Sequence, residues 1–255
     1  MKPEHFDDPV AAYDRLAAHY PDLSAKREPY LRSVENVVIS RITPGGQSLL
    51  DIGAGDGTRT LRLTAESGIK RLVLIEPSTE MAGRSSDHAE IWPIRAEDLT
   101  TEFTPERFDI ITCLWNVLGH IPTAEKRQCA LSAISGLLSP KGKFFLDVNH
   151  RYNLRSYGVL PTSARWIHDL FHRNERNGDV VAKWSVGDAS ISTYGHVFTH
   201  REIIRLALAA GLELEERIVI DYRDGRLRRW SMLGNLLYIF RRSSRMDSSS
   251  APQTS

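Results

Sequence analysis

A short apolar run, Ser48-Leu49-Leu50-Asp51-Ile52, leads into glycines at every second position, Gly53-Ala54-Gly55-Asp56-Gly57, and Glu76 stands 19 residues past the last of them. Glycine lets the backbone turn sharply and lets a ligand come close. A carboxylate at the end of the next strand accepts two hydrogen bonds from ribose hydroxyls. Dinucleotide sites use the same logic with the spacing G-x-G-x-x-G. Here Thr58 takes the sixth position, and Asp51, two residues before the first glycine, suits a cationic amino-acid group better than a pyrophosphate. Two imidazoles, His120 and His150, fall where loops are expected. Each is a candidate general base, and each is equally able simply to bond backbone at a loop. Arg151 carries a planar fork suited to a carboxylate or phosphate. Arg223, Arg226, Arg228 and Arg229 form a run that reads as a solvated hairpin or as a face for an anionic acceptor or RNA phosphates. His168 and His172 flank Asp169 without a third ligand in view, so no metal site is expected.

These residues need elements to hold them. Ser48–Ile52, Arg71–Ile75, Phe108–Trp115 and Lys143–Val148 read as short buried strands, and Thr58–Glu66 and Thr123–Leu138 as helices between them. In the second helix, Ala130, Ile134, Leu137 and Leu138 recur at helical spacing. Such alternation predicts an α/β fold with a parallel sheet covered on both faces. Thr199-His200-Arg201-Glu202 has the spacing of a capping box ahead of Ile203–Ala210, with Gly211 as the stop. Leu212–Tyr222 and Leu236–Phe240 then read as two strands, with Asp224-Gly225 as a turn. Arg151–His196, just after a central strand, is the least regular stretch, and that is where an α/β fold builds a ligand site.

The 255 residues contain 33 Lys+Arg and 32 Asp+Glu, 41% apolar and 25% charged. This is a globular composition, and a net charge of +1 gives no electrostatic footprint for a nucleic acid. Two cysteines, Cys113 and Cys129, make no disulfide framework, and the start lacks a signal-peptide pattern. A cytoplasmic protein with no membrane partner is expected. The apolar runs are too short to span a bilayer.

The ordered set of motifs resembles the class I S-adenosylmethionine-dependent methyltransferases of small-molecule type, from about Leu49 to Phe240. It comprises Asp51-x-Gly53-x-Gly55-x-Gly57, Glu76-Pro77-Ser78 with Met81, Ala96-Glu97-Asp98-Leu99, Phe108-Asp109-Ile110-Ile111 and Leu137-Leu138-Ser139-Pro140-Lys141-Gly142. The resemblance implies a Rossmann-like, seven-stranded, mostly parallel sheet with an antiparallel last strand, helices on both faces and an N-terminal helical lid. It divides the chain into a lid (1–43), a catalytic domain (44–242) with an acceptor-side insertion at about 151–196, and a disordered tail (243–255).

By the same resemblance, Gly53, Ala54 and Gly55 line the methionine part of S-adenosylmethionine, and Glu76, followed by Pro77, holds the ribose. Met81 packs on the adenine or serves as core. Ala96 meets the adenine edge together with Glu97 or Asp98, and Leu114 to Asn116 border the sulfonium. Tyr20, Arg27 and Tyr30, in or beside the stretch similar to the lid, touch the cofactor carboxylate or the acceptor, or form only a packed face. Arg151 lies in a stretch somewhat like the acceptor loop of small-amine N-methyltransferases, which implies an anionic acceptor. The absence of an Asn/Asp-Pro-Pro-Tyr motif and of a Pro-Cys nucleophile argues against DNA-base amino-methylation and pyrimidine C5-methylation. An N- or O-methyltransferase of a small molecule is the leading expectation. An RNA or protein methyltransferase and a catalytically silent cofactor-binding protein are the alternatives. Oligomeric state is left open.

Overall fold

The computed structural model describes residues 7–42, 48–85, 89–101, 106–186 and 189–243. The expected tail beyond residue 243 and the boundary at 43–44 therefore lie outside the described residues, save Ser243. Among the described residues ten strands form in chain order: β1 (Ser48–Ile52), β2 (Arg71–Ile75), β3 (Glu90–Trp92), β4 (Phe108–Cys113), β5 (Leu138–Val148), β6 (Asp179–Val186), β7 (Ala189–His196), β8 (Leu212–Ile220), β9 (Leu227–Arg228) and β10 (Asn235–Arg242). Eight of them make one sheet in the order β3-β2-β1-β4-β5-β10-β8-β9. β1 pairs in parallel with β2 and β4, and β4 with β5, while β10 lies antiparallel between β5 and β8. The mostly parallel sheet with an antiparallel last strand is the expected architecture. The count is eight rather than seven because a turn closed by Asp221 N–H donating to the Arg226 carbonyl brings Leu227 and Arg228 back against β8.

The nine helices of the described residues are α1 (Pro9–Leu16), α2 (Tyr20–Ala25), α3 (Glu28–Arg41), α4 (Thr58–Ser67), α5 (Thr79–Ala82), α6 (Ala124–Leu137), α7 (Leu154–Tyr157), α8 (Val159–Phe171) and α9 (His200–Ala209). Strand side chains alternate between faces, so the sheet carries two cores. Leu50, Ile52, Ile111, Phe144, Leu146, Leu236, Tyr238 and Phe240 meet α6 and α9 on one side. Leu49, Ile110, Phe145, Leu237 and Ile239 meet Tyr30, Leu31, Val34 and Val38 of α3 and Leu63 of α4 on the other. Each such fully buried large apolar side chain contributes about 1.5–3 kcal/mol. The N-terminal stretch is thus divided: α3 is a layer of the core, and only α1 and α2 lie above the site.

The 151–196 stretch is more regular than its sequence reads. It holds α7, α8 and a separate antiparallel hairpin, β6–β7. Ile191 of that hairpin packs on Ala12 and Leu16 of α1, with Trp184 and Tyr13 alongside. Thr199 caps α9 by accepting from the Glu202 N–H at 3.2 Å. The Glu202 carboxylate does not close the box; it accepts from buried His196 Nε2 at 2.9 Å and ties the hairpin to α9.

Candidate active site

β1 delivers the chain into Gly53 and Gly55, both left-handed at φ 68° and 62°. A Cβ on Gly53 would come within 2.5 Å of Val117, and one on Gly55 would stand 3.2 Å from Met81 and 3.6 Å from the Tyr20 hydroxyl. The loop is therefore a cradle that any side chain would fill. Its amides are already directed. Gly55 N–H donates to Glu76 Oε2 at 2.8 Å and Thr58 N–H, where the loop enters α4, to Asp56 Oδ1 at 3.1 Å, while from outside the loop Ser78 N–H donates to Glu76 Oε1 at 2.9 Å. A pyrophosphate binds free amides at a helix N-terminus. Two carboxylates hold these amides, so the loop favours a neutral or cationic group over a phosphate. Each Glu76 oxygen keeps accepting capacity for a hydroxyl. Burial raises the Glu76 pKa above the ordinary value, and the two amides oppose that rise.

Above the cradle lies a cavity of about 770 Å³, part of it open to solvent. Its walls are Pro9, Val10 and Tyr13 of α1, Tyr20, Gly53, Gly55, Arg59, Ile75, Glu76, Pro77, Met81, Arg95, Ala96, Glu97, Leu114, Trp115, Val117 and His120. One side is aromatic. Ring centroids of Tyr20 and Trp115 are 5.6 Å apart, Tyr13 and His120 5.4 Å, and Trp184 of the hairpin backs Tyr13 at 5.8 Å. His120 Nδ1 lies 2.9 Å from the Tyr194 carbonyl and Nε2 lies 3.1 Å from the Tyr13 hydroxyl. A carbonyl only accepts, so Nδ1 carries the hydrogen and Nε2 offers its lone pair to the Tyr13 side. Burial holds the His120 pKa below its ordinary value, which keeps the imidazole neutral and basic near pH 7.

The end of β4 is strained. Trp115 and Asn116 are both left-handed, at φ 56° and 61°, a conformation that costs a non-glycine residue roughly 1–3 kcal/mol. Asp147 holds the turn from below, accepting from Trp115 N–H at 3.0 Å and from the Tyr30 hydroxyl at 2.5 Å. Burial pushes the Asp147 pKa up to about 6. Asn116 turns away from the cavity, accepting from Asn149 N–H at 2.9 Å and donating to the His196 carbonyl at 3.2 Å.

Of the residues singled out from sequence, the cavity brings together Gly53, Gly55, Glu76, Pro77, Met81, Ala96, Glu97, Leu114, Tyr20 and His120. The others are placed elsewhere. Asp51 is fully buried beneath the loop, accepting from the Thr60 hydroxyl and, at 2.6 Å, from the Thr112 hydroxyl. Ala54, Asp98 and Asn116 are not in the wall. Arg27 stacks on Tyr222, 4.5 Å from the ring centroid, and Tyr30 is core. His150 is buried outside the cavity, its Nδ1 has no partner among the described residues, and burial lowers its pKa to about 4. Arg151 is 4% exposed and spends its guanidinium on Asp169 of α8, at 2.6 Å. Of Tyr20, Asn116, His120, His150 and Arg151, the residues expected on the sulfonium and acceptor side, only Tyr20 and His120 line the cavity. The reason is that β5 continues into a turn bridged to Phe198, which carries His150 and Arg151 toward α8 and β10. The arginine run is internally satisfied at its centre, with Arg228 held by Asp221 at 2.7 Å and Asp224 at 2.9 Å. His168 of α8 and His172, just past its end, stack with ring centroids 5.1 Å apart.

Sequence reasoning gave Arg59 and Arg95 no role in the site, whereas Trp115 falls inside the expected stretch Leu114 to Asn116. For Arg59 the signal was present: it precedes buried Leu63 by four residues, which puts both on one face of α4.

A methyltransferase-domain family profile matches residues 25–217, most of the chain, and the chain belongs to that family. It is similar to the ubiquinone biosynthesis O-methyltransferase of Pseudomonas syringae pv. tomato, 27% identical over 176 residues that cover 64% of this chain and 72% of that protein. The corresponding protein of Pseudomonas putida W619 is 26% identical over 181 residues, with the same coverage. Among solved structures, an S-adenosylmethionine-dependent methyltransferase from Clostridium acetobutylicum superposes with a TM-score of 0.62 at 15% identity, covering 91% of this chain and 99% of that one. DesVI of Streptomyces venezuelae gives 0.61 at 16% identity, covering 88% and 97%. The protein is an S-adenosylmethionine-dependent methyltransferase of the class I fold. The cradle, the ribose-competent Glu76 and the amides withheld from phosphate all fit that cofactor.

Proposed function

We propose that the chain methylates a hydroxyl oxygen of a small, largely apolar or aromatic acceptor, with His120 as the general base. The observation that carries the reading is the chain Tyr13 hydroxyl, His120 Nε2, His120 Nδ1, Tyr194 carbonyl at the cavity wall. S-adenosylmethionine supplies an already activated methyl group, so the protein's task is to align an acceptor lone pair and remove a proton. The Tyr194 carbonyl fixes the imidazole so that its basic nitrogen faces the site, and burial keeps it unprotonated. Tyr13, Tyr20 and Trp115 offer flat apolar surface for the acceptor. The O-methyltransferase names of the relatives support oxygen over nitrogen. Arg151, engaged by Asp169, and Arg95, engaged by Asp8 at 2.7 Å, are not free to hold an anionic acceptor. α1 and α2 serve as the lid, pinned by the hairpin.

The test is transfer of a labelled methyl group from S-adenosylmethionine to a panel of simple phenols, catechols, primary amines and carboxylates. Label should go to phenolic oxygen, and His120→Ala should lower kcat about 100- to 10,000-fold while leaving S-adenosylhomocysteine affinity within twofold. Transfer to amines alone, or a His120→Ala enzyme of undiminished kcat, would contradict the reading.

A further inference from the structure

Arg59 is the second residue of α4, directly after the glycine cradle, and it lines the cavity while only 8% exposed. Arginine offers five N–H donors and cannot give up its charge. Yet Arg59 makes no hydrogen bond or ion pair among the described residues, and its buried Nε is unpartnered. The carboxylates that influence it, Asp51, Glu35 and Asp147, are each committed elsewhere: Asp51 to Thr60 and Thr112, Glu35 to Arg62 at 2.9 Å, Asp147 to Tyr30 and Trp115. The protein's other deeply buried arginines differ. Arg127 bonds the Ile121 carbonyl at 2.9 Å, and Arg151 is paired with Asp169. A buried charge without a partner is costly, so Arg59 reads as half of an ion pair whose other half enters with a ligand.

We infer that Arg59 holds the carboxylate at the methionine end of the cofactor. The cofactor has one anionic group, a planar carboxylate, and a guanidinium fork matches it through two parallel hydrogen bonds. The polar features of the cavity fall in a compatible order. Glu76, at the end of β2, is the ribose acceptor; the Gly53–Gly55 cradle comes between; Arg59 follows on the helix that the cradle opens. Arg95, the other arginine in the wall, is already paired with Asp8. Arg59 is thus a cofactor-positioning residue: it sets how far the methionine arm reaches and therefore where the sulfonium stands relative to His120.

The experiment is a binding cycle by titration calorimetry with full-length protein. Wild type and Arg59→Met are each titrated with S-adenosylmethionine and with decarboxylated S-adenosylmethionine, which keeps the adenosine and sulfonium and lacks only the carboxylate. Wild type should prefer the intact cofactor at least tenfold. Arg59→Met should lose 10- to 100-fold toward S-adenosylmethionine and less than threefold toward the decarboxylated form. Arg59→Lys, which keeps the charge and loses the fork, should fall between and serves if the Met variant does not fold. The inference is overturned if wild type binds both ligands alike, or if the variants weaken both equally. It rests on the cofactor assignment; a wild-type protein that binds neither ligand overturns both together, whereas equal variant effects on a protein that binds both overturn the Arg59 role alone.

Discussion

At Glu76 one carboxylate does two jobs, fixing the amides of Gly55 and Ser78 and facing the cavity where a ribose would lie. Glu76→Ala should weaken S-adenosylhomocysteine binding by about 1.5–3 kcal/mol, the range for hydrogen bonds to a charged group, as read by calorimetry; an unchanged Kd would place the ribose elsewhere. His120 gives a pH signature. Its folded pKa lies below 6.5, so it is neutral at pH 7 and gains a proton only as pH falls below its ordinary range. The single-turnover rate should therefore be flat from about pH 7 upward and fall on the acid side, and His120→Gln should remove that acid limb. His150 gives a stability signature. Its pKa is about 4 when folded against 6.5 when exposed, so the folded state binds fewer protons between these values. Stability is intact above pH 6.5 and is lost as pH falls toward 4. Chemical denaturation should show His150→Phe losing about 3 kcal/mol less than wild type between pH 7 and pH 4.

The elements explain which site residues could be read in advance. Gly53, Gly55 and Glu76 lie at the ends of β1 and β2, where strand geometry fixes the direction of the chain and spacing alone locates the residue. His150 and Arg151 follow β5 by the same rule, yet the turn there is captured by Phe198 and by Asn235, long-range partners that no local pattern announces. The β6–β7 hairpin was hidden because the alternation of burial along β6 is partial, with Val180, Val181 and Ala182 all half-buried. That hairpin is what holds α1 over the site, through Ile191 on Ala12 and Leu16 and through the Asp7–Thr193 bridge. Trp184→Ala, which removes the ring behind Tyr13, should raise the acceptor KM about tenfold, an effect of roughly 1.4 kcal/mol, with cofactor affinity nearly unchanged. Limited proteolysis should also cut faster within residues 7–25. An acceptor KM equal to wild type would show that the hairpin does not shape the pocket. α8 presents the opposite case, with Leu160 84% and Phe171 77% exposed.

For the molecule as a whole, the parallel strands β1, β2, β4 and β5 were legible because each is a compact apolar run between turn signals, and the antiparallel β10 because β8 and β10 are two more such runs late in the chain; their order in the sheet comes from the structure. β3, three residues long, and β9, two, are too short for any periodicity to register. With a net charge of +1 and the arginine run anchored by Asp221 and Asp224, binding to RNA should be weak and carry no steep salt slope in a gel shift. The most direct test of the account is the crystal structure of the chain with S-adenosylhomocysteine. The ribose hydroxyls should lie within about 3.2 Å of the Glu76 carboxylate, a normal hydrogen-bonding distance, with the amino-acid arm on the Gly53–Gly55 cradle and the sulfur on the side of the cavity bordered by Tyr13 and His120. A ligand bound outside this cavity, or a ribose held by residues other than Glu76, would contradict it.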